Sequence, residues 1–252
     1  MQEDSLVKKS VINALLLQKE IFGDDLFVNV AFNKFKFNDS EIITEKVKEE
    51  TPIFLKEKRE ESSIEIQTLD EFYNKINTCL KCELGKTRKK FVFGVGNPNA
   101  DLMLIGEAPG AEEDAQGIPF VGRAGKLLTD ILKAINFNRD DVYIANILKC
   151  RPPNNRDPLP VERETCFPYL DKQIELIKPK ILLCLGRIAA NTLLKKSEPM
   201  SLLRGGNIFN YLNIPVMVTY HPAALLRNPN WKKGCWEDVQ AVRKLYDELA
   251  NK

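Results

Sequence analysis

Between residues 100 and 252, four short apolar runs alternate with stretches whose apolar residues recur at helical spacing. The runs are Leu102 to Ile105, Val142 to Leu148, Ile181 to Leu185 and Val216 to Tyr220; the helical stretches are Ala124 to Ile135, Glu162 to Ile177, Arg187 to Lys195 and Trp236 to Asn251. Short runs bounded by Gly, Pro or polar residues read as buried strands. Strand and helix in alternation predict an α/β fold, a three-layer α/β/α arrangement around a central, mostly parallel four-stranded sheet covered on both faces. In such sheets ligands bind outside the carboxyl ends of the strands, where strand-to-helix loops and helix N-termini converge. Residues just after each run are therefore the candidates for function.

The first 75 residues have a different composition. They hold one of the 13 glycines, Gly23, and one of the 14 prolines, Pro52. They carry 11 Lys and Arg against 16 Asp and Glu, which leaves a modest positive excess, 26 against 19, for residues 76 to 252. One helix is expected over Val7 to Phe22, and Asp39 to Ile66 reads as a solvated helix or a disordered, charged linker. A short helix over Leu69 to Asn77 delivers the chain to Cys79. The expected organisation is an N-terminal extension, helical or partly disordered, over 1–75 and a globular domain over 76–252. No apolar run approaches the roughly 20 residues that span a bilayer, and Met1-Gln2-Glu3-Asp4 begins no basic-then-apolar leader. The expectation is a soluble, cytoplasmic protein without a membrane partner.

Directly after the first run stands Gly106-Glu107-Ala108-Pro109-Gly110, continuing through Glu113, Gly117, Phe120 and Gly122 to Gly125. Glycines let a backbone approach a ligand and expose N–H groups, and proline keeps those groups aimed. Neither the dinucleotide Gly-x-Gly-x-x-Gly pattern nor the Walker pattern occurs here. Asn146 sits among apolar neighbours at the end of the second run, as a reader of some planar edge or as a turn-former. After the fourth run comes His221-Pro222-Ala223-Ala224-Leu225-Leu226-Arg227, with the only histidine of the chain.

Cys79 and Cys82 form a Cys-x-x-Cys pair, and Cys150 and Cys166 follow far downstream. Four thiolates suit a structural zinc or an iron-sulfur cluster, and spacing does not decide between them. A redox pair at Cys79 and Cys82 is the plainer alternative. Cys184, inside an apolar run, reads as a core residue.

In this order and spacing, Cys79 to Leu84, Gly106 to Gly125, Asn146 to Pro153, Cys166 and His221 to Pro229 resemble the family 4, iron-sulfur, uracil-DNA glycosylases over residues 79 to 245. The resemblance implies base-excision repair chemistry: uracil is flipped out of single- or double-stranded DNA and its N-glycosidic bond is hydrolysed. It implies a 4Fe-4S cluster on Cys79, Cys82, Cys150 and Cys166, and a uracil pocket with Phe120 as stacking platform and Asn146 as reader of O4 and N3–H. His221 becomes a donor to O2, and Gly106 and Ala108 supply backbone donors. Glu107 and Glu113 are the candidate carboxylates for holding water or the cationic sugar, with Glu113 alternatively obstructing the methyl group of thymine. Leu225, Leu226 and Arg227 are the expected wedge into the duplex, the two leucines serving otherwise as core. Lys86, Arg88, Lys89, Lys90, Arg151 and Arg156 are expected near DNA phosphates.

A monomer is expected, with a replication or repair protein docking on the apolar face Val11, Leu15 and Leu16. A rival reading is a DNA-binding module without turnover, against which Glu107, Phe120, Asn146 and His221 all stand intact. Another is a related group that attaches covalently to DNA through histidine; it carries Gly-Gln-Pro character in its first motif and a basic insertion containing histidine, whereas this chain has Gly106-Glu107-Ala108-Pro109-Gly110 and no second histidine.

Overall fold

The structure, a computed structural model, describes residues 66–250. The helix expected over Val7 to Phe22 and the charged linker, Ile66 apart, lie outside the described residues. Six strands form one sheet: β1 (Val95–Gly96), β2 (Leu102–Gly106), β3 (Tyr143–Asn146), β4 (Ile181–Leu185), β5 (Phe209–Tyr211) and β6 (Ile214–Thr219), in the order β1-β3-β2-β4-β6-β5. The four inner strands coincide with the four apolar runs and pair in parallel, whereas β1 and β5 add antiparallel edges. The sheet is thus wider than the four strands expected. The edge strands are only two and three residues long and partly exposed, so their sequence carries no continuous apolar signal.

Nine α-helices accompany the sheet among the described residues: α1 (Leu69–Ile76), α2 (Leu84–Thr87), α3 (Ala111–Gln116), α4 (Arg123–Ala134), α5 (Pro160–Ile177), α6 (Arg187–Leu194), α7 (Met200–Leu203), α8 (Pro222–Arg227) and α9 (Lys232–Ala250). Successive strand residues point to opposite faces, and this alternation divides the core in two. Met103, Ile105, Leu182 and Cys184 pack with Leu170 and Ile174 of α5 and Ala189 and Leu193 of α6. Leu102, Leu104, Ile181 and Leu183 pack with Leu128 and Ile131 of α4 and Val239 and Val242 of α9. Three layers result, as expected. α1, closed at its start by a Thr68–Glu71 capping box, straddles residue 75 and sends Phe72 and Ile76 into the first core. Among the described residues no helix is long and apolar enough to cross a membrane.

The strand order sets where a ligand can enter. The chain leaves β2 toward β3 on one side, and leaves β4 toward β6 on the other. Loops diverging from neighbouring strands open a crevice at their carboxyl ends. The glycine-rich loop, Asn146 and His221 all follow strands at that end.

Candidate active site

The carboxyl ends of β2, β3 and β6 open onto a cavity of about 350 Å³. Its walls come from the loop after β2 (Glu107, Ala108, Gly110, Glu113, Phe120), the end of β3 and the segment behind it (Asn146, Pro152, Asn155, Arg156, Asp157) and the loop after β6 (His221, Ala223, Arg227). This is the lower end of small-molecule pocket sizes and suits a single ring better than a nucleotide. Eight of the residues singled out by sequence meet around it: Glu107, Ala108, Glu113, Phe120, Asn146, Arg156, His221 and Arg227.

Gly106 lies immediately behind the cavity. It is the register partner of Asn146, and a Cβ built on it would overlap Asn146 Oδ1 and stand 2.7 Å from the Phe120 ring. Glycine here makes room for the two side chains that shape the cavity floor. Asn146 is 2% exposed, and its Oδ1 is buried without a hydrogen-bond partner. An unpaired buried acceptor costs about 1–3 kcal/mol. An aliphatic side chain at the end of β3 would instead contribute about 1.5–3 kcal/mol by burial. Folding alone does not account for an amide in this place; a ligand that donates to Oδ1 does.

Glu113 organises the loop. Its carboxylate accepts from the backbone N–H groups of Gly110 (3.1 Å), Val121 (3.0 Å) and Gly122 (3.0 Å). Those bonds hold the turn in which Phe120 adopts a left-handed backbone, φ 52°. A non-glycine residue there needs surrounding structure to impose it. Gly125 completes the constraint, since any Cβ on it would overlap the Phe120 backbone. Phe120 is thereby fixed with its ring centroid 5.5 Å from that of His221 and the planes inclined by 33°. With three of its lone pairs engaged by backbone donors, Glu113 is an anchor of the cavity wall.

His221 caps α8: its Nδ1 accepts the backbone N–H of Ala223 at 3.1 Å. An amide N–H can only donate, so Nδ1 carries the lone pair and the proton of the neutral ring sits on Nε2. Burial, reinforced by the Arg227 charge and opposed by Glu113, pulls the imidazole pKa down to about 4. The ring is therefore neutral at physiological pH, a hydrogen-bond donor without full charge. Gly186, with φ +93°, packs beneath it, where a Cβ would come within 3.0 Å of His221 Cβ. Sequence reading passed over Gly186, although a glycine immediately after the Ile181 to Leu185 run is the available signal.

Glu107 has the opposite character to Glu113. Burial and the nearby Asp157 charge push its carboxyl up to about 7, against the lowering influence of Arg187 and Arg163. A carboxyl poised at neutral pH exchanges protons readily. Asp157, too, is a cavity residue that sequence reading did not single out.

The cysteines lie to one side of this cavity. Cys150 and Cys166 are buried in the first core, with Cys79 and Cys82 packed against it, and all four thiols are free. Tyr169 Oη donates to Cys79 Sγ at 3.1 Å, and the Lys149 backbone N–H to Cys166 Sγ at 3.4 Å. Burial raises both the Cys150 and Cys166 thiols, the latter to about 12; neighbouring cysteine thiolates disfavour their ionisation further, while Arg88 and Lys149 favour it. Among the described residues no three His, Cys, Asp or Glu side chains are gathered closely enough to hold a metal ion. Cys184 is a core residue, as expected.

Three residues expected at DNA stand elsewhere in this structure. Leu225 is 0% exposed and packs in the second core, because the helix starting at Pro222 turns that position inward. Leu226, 45% exposed, is the outward-facing leucine of the pair. Arg88 donates to the carbonyls of Cys79 and Asn77, contacts Cys150 Sγ at 3.4 Å and stacks over Phe91, so its guanidinium is committed to the cysteine region. Arg156 is likewise engaged, bidentate on the buried carboxylate of Glu162. Lys89 and Lys90 are exposed, and Arg227 lies at the cavity wall.

A family model described as the uracil DNA glycosylase superfamily matches residues 93–245. The chain is 42% identical over 192 residues to a type-4 uracil-DNA glycosylase of Archaeoglobus fulgidus, spanning 71% of this chain and 94% of that protein. A type-4 uracil-DNA glycosylase of Saccharolobus solfataricus is 47% identical over 188 residues, 71% of this chain and 87% of that protein. One of Thermotoga maritima is 43% identical over 172 residues, 67% of this chain and 90% of that protein.

Proposed function

This chain belongs to the type-4 uracil-DNA glycosylases, and on that premise we propose that its cavity receives uracil flipped out of DNA and that its residues hydrolyse the bond between the base and C1′. Free uracil and an abasic site are the products. The observation that carries this reading is Asn146, an amide whose buried Oδ1 has no partner, in the wall of a cavity shared with Phe120 and His221. Uracil presents the N3–H donor that Oδ1 lacks, next to an O4 that the amide nitrogen can serve. Cytosine presents an acceptor at N3 and a donor at N4, so it pairs with neither group of the amide as oriented.

Hydrolysis needs charge handled at two ends of the bond. As the C1′–N1 bond breaks, its electron pair passes to the base and spreads onto O2 and O4. The Nε2–H of neutral His221 donates to O2 and stabilises that charge as it develops, with the backbone N–H of Ala108 as a neighbouring donor. A neutral imidazole held by burial and a backbone bond cannot transfer its proton fully to uracil, so its role is electrostatic. At the other end water adds to C1′ and loses a proton. Glu107, poised near pH 7 and free of the backbone bonds that fix Glu113, takes that proton. Leu226 and Arg227 occupy the gap left in the stack.

Cys79, Cys82, Cys150 and Cys166 would hold a four-iron cluster. The donor set supports this: four thiols from three separate segments share one side of the first core, and N–H or O–H donors already point at three of the sulfurs. A four-iron cluster takes four cysteine thiolates, and four free thiols stand together here. When bound, it supplies iron–thiolate links that pin the segments flanking the cavity, in a hydrolysis that moves no net electrons. Iron and acid-labile sulfide at about four each per chain are expected; a colourless, zinc-containing protein would refute the assignment. The enzymatic reading is tested by incubating single strands carrying one dU, dT or dC and scoring alkali-labile sites. Cleavage at dU alone is expected, and intact dU strands would overturn it.

A further inference from the structure

Lys149 is the largest side chain to be completely buried in the described structure, and no step above uses it. Its Nζ donates to the main-chain carbonyl of Asn146 at 2.9 Å and to Gln173 Oε1. Its backbone N–H donates to Cys166 Sγ at 3.4 Å, its carbonyl accepts from Val92 at 2.9 Å, and it immediately precedes Cys150. Gln173 is itself fully buried and is fixed by donating to the Phe93 carbonyl at 3.0 Å and to Tyr143 Oη at 3.3 Å. A fully buried ammonium is costly unless paired, so an ordinary core position would carry an aliphatic chain of the same length. What this lysine gains is a fixed link between Asn146 at the cavity wall and the two segments that carry Cys150 and Cys166.

We propose that Lys149 is a positioning residue for base recognition: its bonds to the Asn146 carbonyl and to Gln173 hold the Asn146 amide against the uracil edge and tie that amide to the cysteine-bearing segment. The inference rests on the reading of Asn146 as the edge reader. The peptide carbonyl that Lys149 holds is the one leaving Asn146, so it fixes the backbone dihedrals from which the amide projects. Asn146 Oδ1 has no other partner to orient it. Distortion at Lys149 therefore appears first as loss of discrimination, before any loss of general DNA binding.

The test uses the full-length, iron-loaded chain and compares binding to two single strands, one carrying 2′-fluoro-2′-deoxyuridine, which resists cleavage, and one carrying deoxycytidine, whose N3 and N4 present the opposite pattern, at the same place. Asn146→Ala comes first, and it must abolish the preference for the uracil strand if the edge-reader reading holds. Lys149→Met then keeps the length of the chain and removes the donor, while Gln173→Met removes the acceptor that fixes Lys149 and leaves the ammonium beside Cys150 and Cys166. In both variants the uracil preference is expected to fall by about tenfold or more, the scale of one charge-assisted hydrogen bond. Affinity for the deoxycytidine strand and visible absorbance per chain should stay unchanged. If Asn146→Ala abolishes the preference and both Lys149→Met and Gln173→Met retain it, the positioning role is wrong and the edge reader stands. If Asn146→Ala itself retains the preference, the reading beneath the proposal fails instead.

Discussion

Replacing Glu107 by glutamine should remove activity and stabilise the protein, with the gain confined to neutral and alkaline pH. The carboxyl of Glu107 rises from 4.5 to about 7 in the folded protein, chiefly by burial. At about 1.4 kcal/mol per tenfold, that rise sets about 3 kcal/mol against the ionised form, which solvent at the cavity mouth reduces to about 2 kcal/mol. Because the folded value lies above that of an unfolded carboxyl, the native state binds the proton more tightly. Stability is therefore lost as the pH rises from about 4.5 to about 7. Glutamine has no charge to bury, so Glu107→Gln should gain about 2 kcal/mol at pH 8, or about 4–8 °C in melting temperature for a domain of this size. The gain should shrink steadily toward pH 5, where the wild-type carboxyl is protonated in the folded state. Paired thermal melts of wild type and variant at pH 8, 7, 6 and 5 measure it, and single-turnover kinetics at pH 8 should show a rate lower by about 10²-fold or more. An equal stability difference at every pH, or a variant less stable at pH 8, would refute the argument that Glu107 is a strained, poised carboxylate.

Other consequences are as direct. The wild-type kcat/KM should rise through about pH 7 as Glu107 ionises and stay level above it; only below about pH 4 would His221 gain its proton, so a second limb near neutral pH contradicts the neutral-donor role. Arg88→Ala should lower thermal stability and iron content while leaving the salt dependence of DNA affinity unchanged, whereas Lys89→Ala should reduce the slope of log K against log salt by about 0.7 to 0.9 if it meets one phosphate. Asp238, 1% exposed, accepts from Arg204 at 2.9 Å, from the Gly205 backbone at 3.0 Å and from Thr219 Oγ1 at 2.9 Å. Its replacement by alanine removes the buried partner of a largely buried guanidinium, which keeps only Glu237 at 3.8 Å and the Gly234 carbonyl, and chemical denaturation should show a loss of about 3 kcal/mol, the lower end for breaking a buried pair.

The inner strands and the placement of the site are legible in the sequence for a common reason. A strand buried on both faces is a continuous apolar run, and in a parallel sheet candidate site residues lie at or just past the carboxyl ends of the strands, as Gly106, Asn146 and His221 do. The edge strands are not legible, since Phe209–Tyr211 is held by pairing with β6 and carries half-exposed side chains. Leu225 and Leu226 are chemically identical neighbours, and only the phase of α8 decides which of them faces the core. Arg88 shows a further limit: a cation in a basic stretch reads as a phosphate contact, yet carbonyls left free at Asn77 and Cys79 claim it in three dimensions. Glu107 and Glu113 are indistinguishable in sequence and are separated by their partners, three backbone donors for one and burial beside Asp157 for the other. Lys149 meets Gln173 of α5 and Gly186 packs against His221, contacts between distant segments that no local pattern announces.

The proposed chemistry depends on one cavity, in which Asn146 would read uracil and His221 would stabilise the departing base. Its most direct test measures free uracil released from a dU-containing single strand in a single turnover, by wild type, His221→Ala and Asn146→Ala. Wild type should release one uracil per strand, with His221→Ala slower by about 10²- to 10³-fold, the usual consequence of losing one donor to a developing anion. Asn146→Ala should slow comparably, and neither variant should lose affinity for uracil-free DNA. Release at the wild-type rate by either variant would contradict the account.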